Sequence, residues 1–315
     1  MSKFAFIFPG QGSQFIGMGR DLAETYPAAK AVFDEVDEAL GQRLSGLIWS
    51  GPEADLKLTA NTQPALMAVS LAAMRALEDA HGIGAKDAAF VAGHSLGEYS
   101  ALAAAGAISV GDCAKVLRIR GNAMQAAVPD GQGAMAALLG ASPEQAADLC
   151  ALAASDGPCE VANDNAPGQI VISGARAAVE RAISGAKDAG VKKAVILPVS
   201  APFHCSLMQP AADAVAEALA EIDIKPPSTR LVANITAATT RDPDALRDQL
   251  KAQVTGRVRW TESVQLMAEQ GVDLFVEAGA GKVLSVMNRR TVRGLDGVTM
   301  GTPEEIDAVA ERLNG

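Results

Sequence analysis

The sequence predicts an α/β fold with a smaller α/β unit inserted into it, on three observations. Strand and helix signals alternate along most of the chain, as they do where helices cover a parallel sheet. A glycine-flanked serine, Gly93-His94-Ser95-Leu96-Gly97, sits between a strand signal and a helix signal. Between residues 133 and 197 the signals run strand, helix, strand, strand, helix, strand, with proline-containing turns on either side. At 315 residues the chain has room for two domains, or for one core carrying an insertion.

Residues 3–8 are a compact apolar run stopped by Pro9-Gly10, which reads as a buried strand. After a glycine-rich turn a helix is expected over 21–40, and an Ala-, Leu- and Met-rich helix over 64–80. A short strand follows at 88–92, then helices over 97–105 and 112–127. The turn Val128-Pro129-Asp130-Gly131 marks a change of character. Beyond it come a strand at 133–139, a helix at 143–153, strands at 158–162 and 169–172, a helix at 175–189 and a strand at 192–197. Residues 163–168, Asn-Asp-Asn-Ala-Pro-Gly, read as the turn between the two middle strands. This βαββαβ succession is the ferredoxin-like order and places an inserted unit at 130–198, between core segments 1–129 and 199–315. The core pattern then resumes, with helices near 206–220, 243–254 and 260–269, strands near 230–233 and 272–276, and a last helix from Pro303.

Composition narrows the function. Hydrophobic residues make up 49% and charged residues 20%, too apolar for a disordered chain. Lys and Arg number 27 against 37 Asp and Glu, and a net charge of −10 disfavours a nucleic-acid backbone as partner. The first apolar run, Phe4 to Phe8, is too short for a signal sequence or a membrane span, and no later run reaches about 18 residues. A cytoplasmic protein with no membrane partner is expected. Cys113, Cys150, Cys159 and Cys205 form no CxxC pair and are expected as free thiols. With three histidines and no HExxH spacing, neither a metal nor a cofactor is expected.

The Gly93–Gly97 pentapeptide fits GxSxG, the strand-to-helix elbow that presents a nucleophilic serine. Its glycines permit a strained turn that lifts the hydroxyl from the sheet and leaves the next N–H where an oxyanion would form. The competing reading is a tight turn with a helix-capping serine; the strand and helix on either side favour Ser95 as nucleophile. A base is then needed, and three histidines are candidates. His94 adjoins the nucleophile and is expected to pack beneath the elbow. His81, beside Gly82 at a helix end, is in the ordinary place for a solvated C-terminal histidine. His204, on the loop Ser200-Ala201-Pro202-Phe203-His204-Cys205, remains either as the base or as a packed loop residue. No carboxylate nearby in sequence presents itself to orient it, but a backbone carbonyl would serve. Pro9-Gly10-Gln11-Gly12-Ser13-Gln14 is not a nucleotide loop, since Phe15 stands where GxGxxG requires its third glycine, and Gly281-Lys282 lacks the remainder of a P-loop. That first turn either offers a second oxyanion donor or merely closes the strand.

On the helix at 112–127, Cys113, Val116, Leu117, Met124 and Ala127 form an apolar stripe, and Arg120 lies on it. Arg118, about 200° away around the helix, shares the other face with Lys115 and Asn122 and is expected in solvent. A buried guanidinium requires an anionic or carbonyl partner. That partner is either structural or a substrate carboxylate, which its planar fork suits. Met67, Met74, Met124 and Met135 read as core filler. Arg289, Arg290 and Arg293 read as a solvated face or as a landing site for an acidic partner.

Along nearly its whole length the sequence resembles the malonyl-CoA:acyl carrier protein transacylases of fatty-acid synthesis. The resemblance rests on FPGQGSQ at 8–14, TQPAL at 62–66, GHSLGEYSAL at 93–102, RGNAMQ at 120–125, GAMAALLG at 133–140, NAPGQIVISG at 165–174, PFH at 202–204 and VRW at 258–260. It implies an α/β-hydrolase-like core with a parallel sheet and a ferredoxin-like subdomain. The implied activity is malonyl transfer from malonyl-CoA to the phosphopantetheine thiol of acyl carrier protein through a malonyl-serine, by a monomer. By the same resemblance Ser95 is the acylated serine, His204 its base, and the N–H groups of Gln11 and Leu96 the oxyanion hole. Arg120 is implied as the carboxylate clamp, the carbonyl of Gln253 as the group orienting His204, and Asn163 as a pocket-lining residue. Phe203 resembles the malonyl-type pocket rather than that of branched-substrate relatives. Cys205 stands where the family commonly has serine, outside the implied chemistry. The competing readings are a serine hydrolase, against which Arg120 argues, and a non-catalytic carrier-binding module, against which Ser95 and His204 argue.

Overall fold

The computed structural model describes residues 3–315. The chain opens with β1 (Phe4–Phe8), buried along its length, followed by α1 (Arg20–Thr25), α2 (Pro27–Leu40), α3 (Leu44–Ser50), α4 (Glu53–Lys57) and α5 (Thr59–His81). β2 (Phe90–Gly93), α6 (Gly97–Ala104) and α7 (Val110–Ala126) complete the first segment. Next come β3 (Gly133–Leu139), α8 (Pro143–Leu152), β4 (Cys159–Ala166), β5 (Gln169–Ala175), α9 (Arg176–Ala186) and β6 (Lys193–Ile196). The last segment holds α10 (Gln209–Ala220), β7 (Arg230–Val232), β8 (Thr239–Thr240), α11 (Pro243–Thr255), β9 (Val258–Arg259), α12 (Trp260–Glu269), β10 (Leu274–Ala278), α13 (Val283–Thr291), β11 (Asp296–Met300) and α14 (Pro303–Asn314).

Two sheets result. The first has the order β11-β10-β1-β2-β7-β8, parallel from β11 to β7 with β8 antiparallel at the edge. The turns after β1, β2 and β7 therefore leave the same edge of the sheet, where parallel α/β sheets carry their sites. The second sheet has the order β6-β3-β5-β4-β9. Its first four strands pair antiparallel and cover their own buried cluster with α8 and α9, while β9 adds in parallel from the last segment.

Several elements depart from the sequence expectations for local reasons. The helix expected over 21–40 is two helices, because Pro27 disfavours helical backbone at Tyr26, which is extended at φ −116° and ψ 114°. α5 starts at Thr59 rather than at Pro64, and the proline lies inside it. The helix continues past the lost bond because α2 and α7 bury it on both sides. The polar run at 163–165 belongs to β4, leaving Pro167-Gly168 as the turn, because Asn163 and Asp164 pair with Val258 and Arg259. Asp164 Oδ1 also accepts from the Thr261 hydroxyl at 2.6 Å, so side chains that favour turns are satisfied within a strand. β11, which has Gly297 within it and is only half-buried, carries no strand periodicity. The short α3, α4, α13, β8 and β9 were likewise not expected.

The two sheets meet at Trp260, fully buried at the start of α12, whose Nε1–H donates to Asn288 Oδ1 of α13 at 2.9 Å. Trp260→Ala is expected to cost about 3–5 kcal/mol of unfolding free energy, read from the denaturant midpoint.

Candidate active site

At the elbow between β2 and α6, Ser95 adopts a left-handed backbone with φ 53°. The strain expected of the flanking glycines falls instead on the serine, at a cost of about 1–3 kcal/mol. The glycines are needed for close approach. A Cβ on Gly93 would lie 1.9 Å from the Gly97 carbonyl oxygen, and one on Gly97 would lie 2.2 Å from that of Phe8. Asn234, just after β7, holds the strained turn from both ends: its Oδ1 accepts from Ser95 N–H at 2.8 Å and its Nδ2 donates to the Gly93 carbonyl at 2.7 Å. Gln253 Nε2 adds a bond to the Ser95 carbonyl at 3.0 Å.

Of the three histidines, His204 meets the serine. Its Nε2 is 2.8 Å from Ser95 Oγ, and its Nδ1 is 2.9 Å from the Gln253 carbonyl oxygen. A carbonyl only accepts, so Nδ1 carries the hydrogen and Nε2 is free to receive the serine proton. His204 too has left-handed backbone, at φ 59°. Burial first, and then the nearby positive charge of Arg120, push its pKa down to about 3. The imidazole is therefore neutral throughout the physiological range.

Arg120 is 1% exposed, as its place on the apolar stripe of α7 requires. Its Nη1 donates to Gln63 Oε1 of α5 at 2.6 Å, and its Nη2 to Gln253 Oε1 at 3.0 Å and to Ser95 Oγ at 3.1 Å. The Tyr99 ring lies 5.6 Å from its Cζ. Every one of these partners is neutral, and Nε has no acceptor among the described residues. The guanidinium is thus placed structurally, while its charge faces no carboxylate at hydrogen-bonding distance.

Ser95, His204 and Arg120 line a cavity of about 180 Å³, together with Phe203, Asn163 and Met135. Gln11 and Leu96 are also in its wall, and the backbone N–H of neither finds an acceptor among the described residues. Both N–H groups belong to turns, one after β1 and one after β2, that border the same cavity as Ser95.

Other candidates fall elsewhere. His94 stands in the cavity wall, with Nε2 2.7 Å from Asn165 Oδ1 and its ring tilted against Trp260. His81 is paired with Asp307 of α14 at 2.9 Å. Arg118 is half-buried rather than solvated, because the start of α5 covers it and Asn61 Oδ1 accepts from its Nη1 at 2.7 Å. All four cysteines are free thiols, and the four methionines singled out above are buried. Arg289 and Arg290 are exposed on α13. Gln63, Glu98 and Asn234 are parts of the site that sequence reasoning missed. Only Glu98 gave a signal, as the single charge in the otherwise uncharged helix GEYSALAA.

Asn234→Ala is expected to slow labelling of Ser95 by a fluorophosphonate about 10- to 100-fold, since a small misplacement of a reacting group is costly. The wild-type labelling rate is expected to stay level from pH 8 down to pH 5 and to fall only as His204 protonates, towards about pH 3.

The acyl transferase domain model matches residues 5–306. The malonyl CoA-acyl carrier protein transacylase of Escherichia coli K12 is 44% identical over 311 residues, 99% of this chain and 100% of that protein. The crystal structure of an acyl-carrier-protein S-malonyltransferase from Bartonella henselae superposes with a TM-score of 0.97 at 51% identity, covering 100% of both chains. A malonyl-transacylase solved in complex with its type II polyketide acyl-carrier protein gives 0.95 at 40% identity, covering 99% of this chain and 100% of that one. With its serine, histidine and buried arginine gathered at one cavity, the chain belongs to the acyl transferase family, and within it to the malonyl-CoA:acyl carrier protein transacylases.

Proposed function

We propose that this protein transfers a malonyl group from malonyl-CoA to the phosphopantetheine thiol of acyl carrier protein. The single observation that carries the reading is Arg120, a buried cation beside Ser95 with only neutral partners. A malonyl group bonded to Ser95 brings its free carboxylate to that cation, which an acetyl group leaves without an anion.

His204 Nε2 takes the proton from Ser95 Oγ as the oxygen attacks the thioester carbonyl. The tetrahedral oxyanion accepts from the N–H groups of Gln11 and Leu96. The same Nε2 then gives the proton to the departing sulfur, and CoA leaves as a thiol with malonyl bound to Ser95. The carrier thiol resolves this ester by the reverse route, its proton passing to His204 and then to Ser95 Oγ. The Gln253 carbonyl keeps the imidazole in one tautomer throughout. Phe203 and Asn163 bound the acyl pocket, and the bulk of Phe203 favours an unbranched malonyl unit.

The architecture is read as an α/β-hydrolase-like core, 1–129 with 199–315, and a ferredoxin-like subdomain at 130–198. The strand order β6-β3-β5-β4 and the separate buried cluster under α8 and α9 support the division. Arg289 and Arg290 give an acidic carrier a basic edge on α13, the helix whose Val283, Leu284 and Met287 line the cavity.

The test is intact-mass spectrometry with malonyl-CoA. Wild type is expected to gain one malonyl group, Ser95→Ala none, and the adduct is expected to discharge onto added holo acyl carrier protein faster than into water. Release to water at the same rate with and without the carrier would make the protein a hydrolase.

A further inference from the structure

Glu98 is a fully buried carboxyl that the transfer steps leave unused. It lies on α6, three residues beyond the nucleophile. Its Oε2 accepts from Gln253 Nε2 at 2.7 Å and from Asn234 N–H at 3.1 Å, whereas its Oε1 has no donor among the described residues. The Gln253 amide that donates to Glu98 also accepts from Arg120 Nη2 through Oε1. One amide group thus separates the only buried cation of the site among the described residues from a buried carboxyl, and no direct ion pair forms between them.

Among the described residues the surroundings supply no second counter-charge. Tyr99 on the same helix and Arg120 on α7 are the titratable groups near it, and Arg120 is the one charge that acts on its ionisation. Asn234 and Gln253 face it as neutral donors. The titratable Arg75 and Glu78 of α5 sit against the far end of α6, at Ala103 and Ala104. His204 is neutral, its pKa pushed down to about 3 by burial and then by Arg120.

From this arrangement we infer that Glu98 takes up a proton from solvent when the malonyl carboxylate pairs with Arg120, so that malonyl loading is coupled to neutralisation of this carboxyl. The inference rests on the transferase reading. Before loading, one cation and one carboxyl, part-ionised near neutral pH, share the site. The malonyl group adds a second carboxylate, and two carboxylates near one cation in a low-dielectric interior do not both stay ionised. The malonyl carboxylate reaches Arg120 directly and Glu98 does not, so Glu98 is the one to take the proton, at the unpartnered Oε1. Burial already raises the Glu98 pKa to about 7, against the lowering effects of its two donors and of Arg120. Pairing Arg120 with the substrate removes one of those lowering effects and raises the pKa further. Glu98 is a positioning residue here. It touches no reacting atom and acts through Gln253.

The experiment is stoichiometric loading of the enzyme with malonyl-CoA in weak buffer with a pH indicator, the adduct being counted by intact mass. Acyl exchange from CoA to serine itself consumes no proton. Uptake is expected to be small where Glu98 is already protonated, below its pKa of about 7, and to climb as the pH rises through that value towards 8. In Glu98→Gln, a neutral mimic of the protonated side chain, uptake is expected to vanish, and the rise of the malonyl-CoA KM between pH 7 and 8 is expected to flatten. Loading without uptake in wild type overturns the inference. So does uptake that survives Glu98→Gln, which would place the proton on His204. If Glu98→Gln does not fold, the wild-type profile decides: uptake that is flat with pH overturns the inference, and uptake that climbs from pH 6 to 8 supports it. If no adduct forms on wild type, the transferase reading itself has failed, and the inference falls with it.

Discussion

The architecture of the site turns on a single electrostatic constraint, the permanent charge of Arg120 held at 1% exposure beside a serine hydroxyl. An unpaired cation in a protein interior costs several kcal/mol, so its two terminal nitrogens must be aimed at acceptors. The elements around it do this. α7 supplies the guanidinium, α5 brings Gln63 to Nη1, and α11 brings Gln253 to Nη2. Because these acceptors are neutral, the charge is solvated without being cancelled. The cation remains available to an anion entering the cavity, and it adds to the burial that already suppresses protonation of His204.

Gln253 links this constraint to catalysis. Its carbonyl fixes the His204 tautomer, and its side chain joins Arg120, Glu98 and the Ser95 carbonyl. Together with Asn234 it maintains Ser95 in a left-handed conformation that a serine adopts only under constraint. Ser95, His204 and Arg120 are therefore not independent side chains at a shared surface. They are three outputs of one hydrogen-bonded framework, whose corners come from α6, α7, α11 and the turn after β7.

The fold and the reactive centre were legible to different degrees, and for physical reasons. β3 appears over the range its apolar run predicts, and the βαββαβ succession is present in order, because binary patterning and flanking turns govern such elements. Asn163 and Asp164 misled because their satisfaction in β4 depends on Val258 and Thr261, about a hundred residues away. Arg120 was legible because a charge on an apolar stripe is a local anomaly. His204 could be reached only by elimination, and its partner is a main-chain carbonyl, which no side-chain identity announces. Asn234 lies in the turn after a short strand, as many asparagines do, and its role exists only once β7 lies beside β2.

The most direct test of the central claim is the ratio of kcat/KM for malonyl-CoA to that for acetyl-CoA, in wild type and in Arg120→Ala. If the uncancelled guanidinium selects the acyl group, removing it collapses the preference by about 100-fold or more, mostly through loss of malonyl turnover. If both substrates slow by the same factor and the ratio is kept, Arg120 is only scaffolding for Ser95 and Gln253, and selection of the diacid lies elsewhere in the cavity.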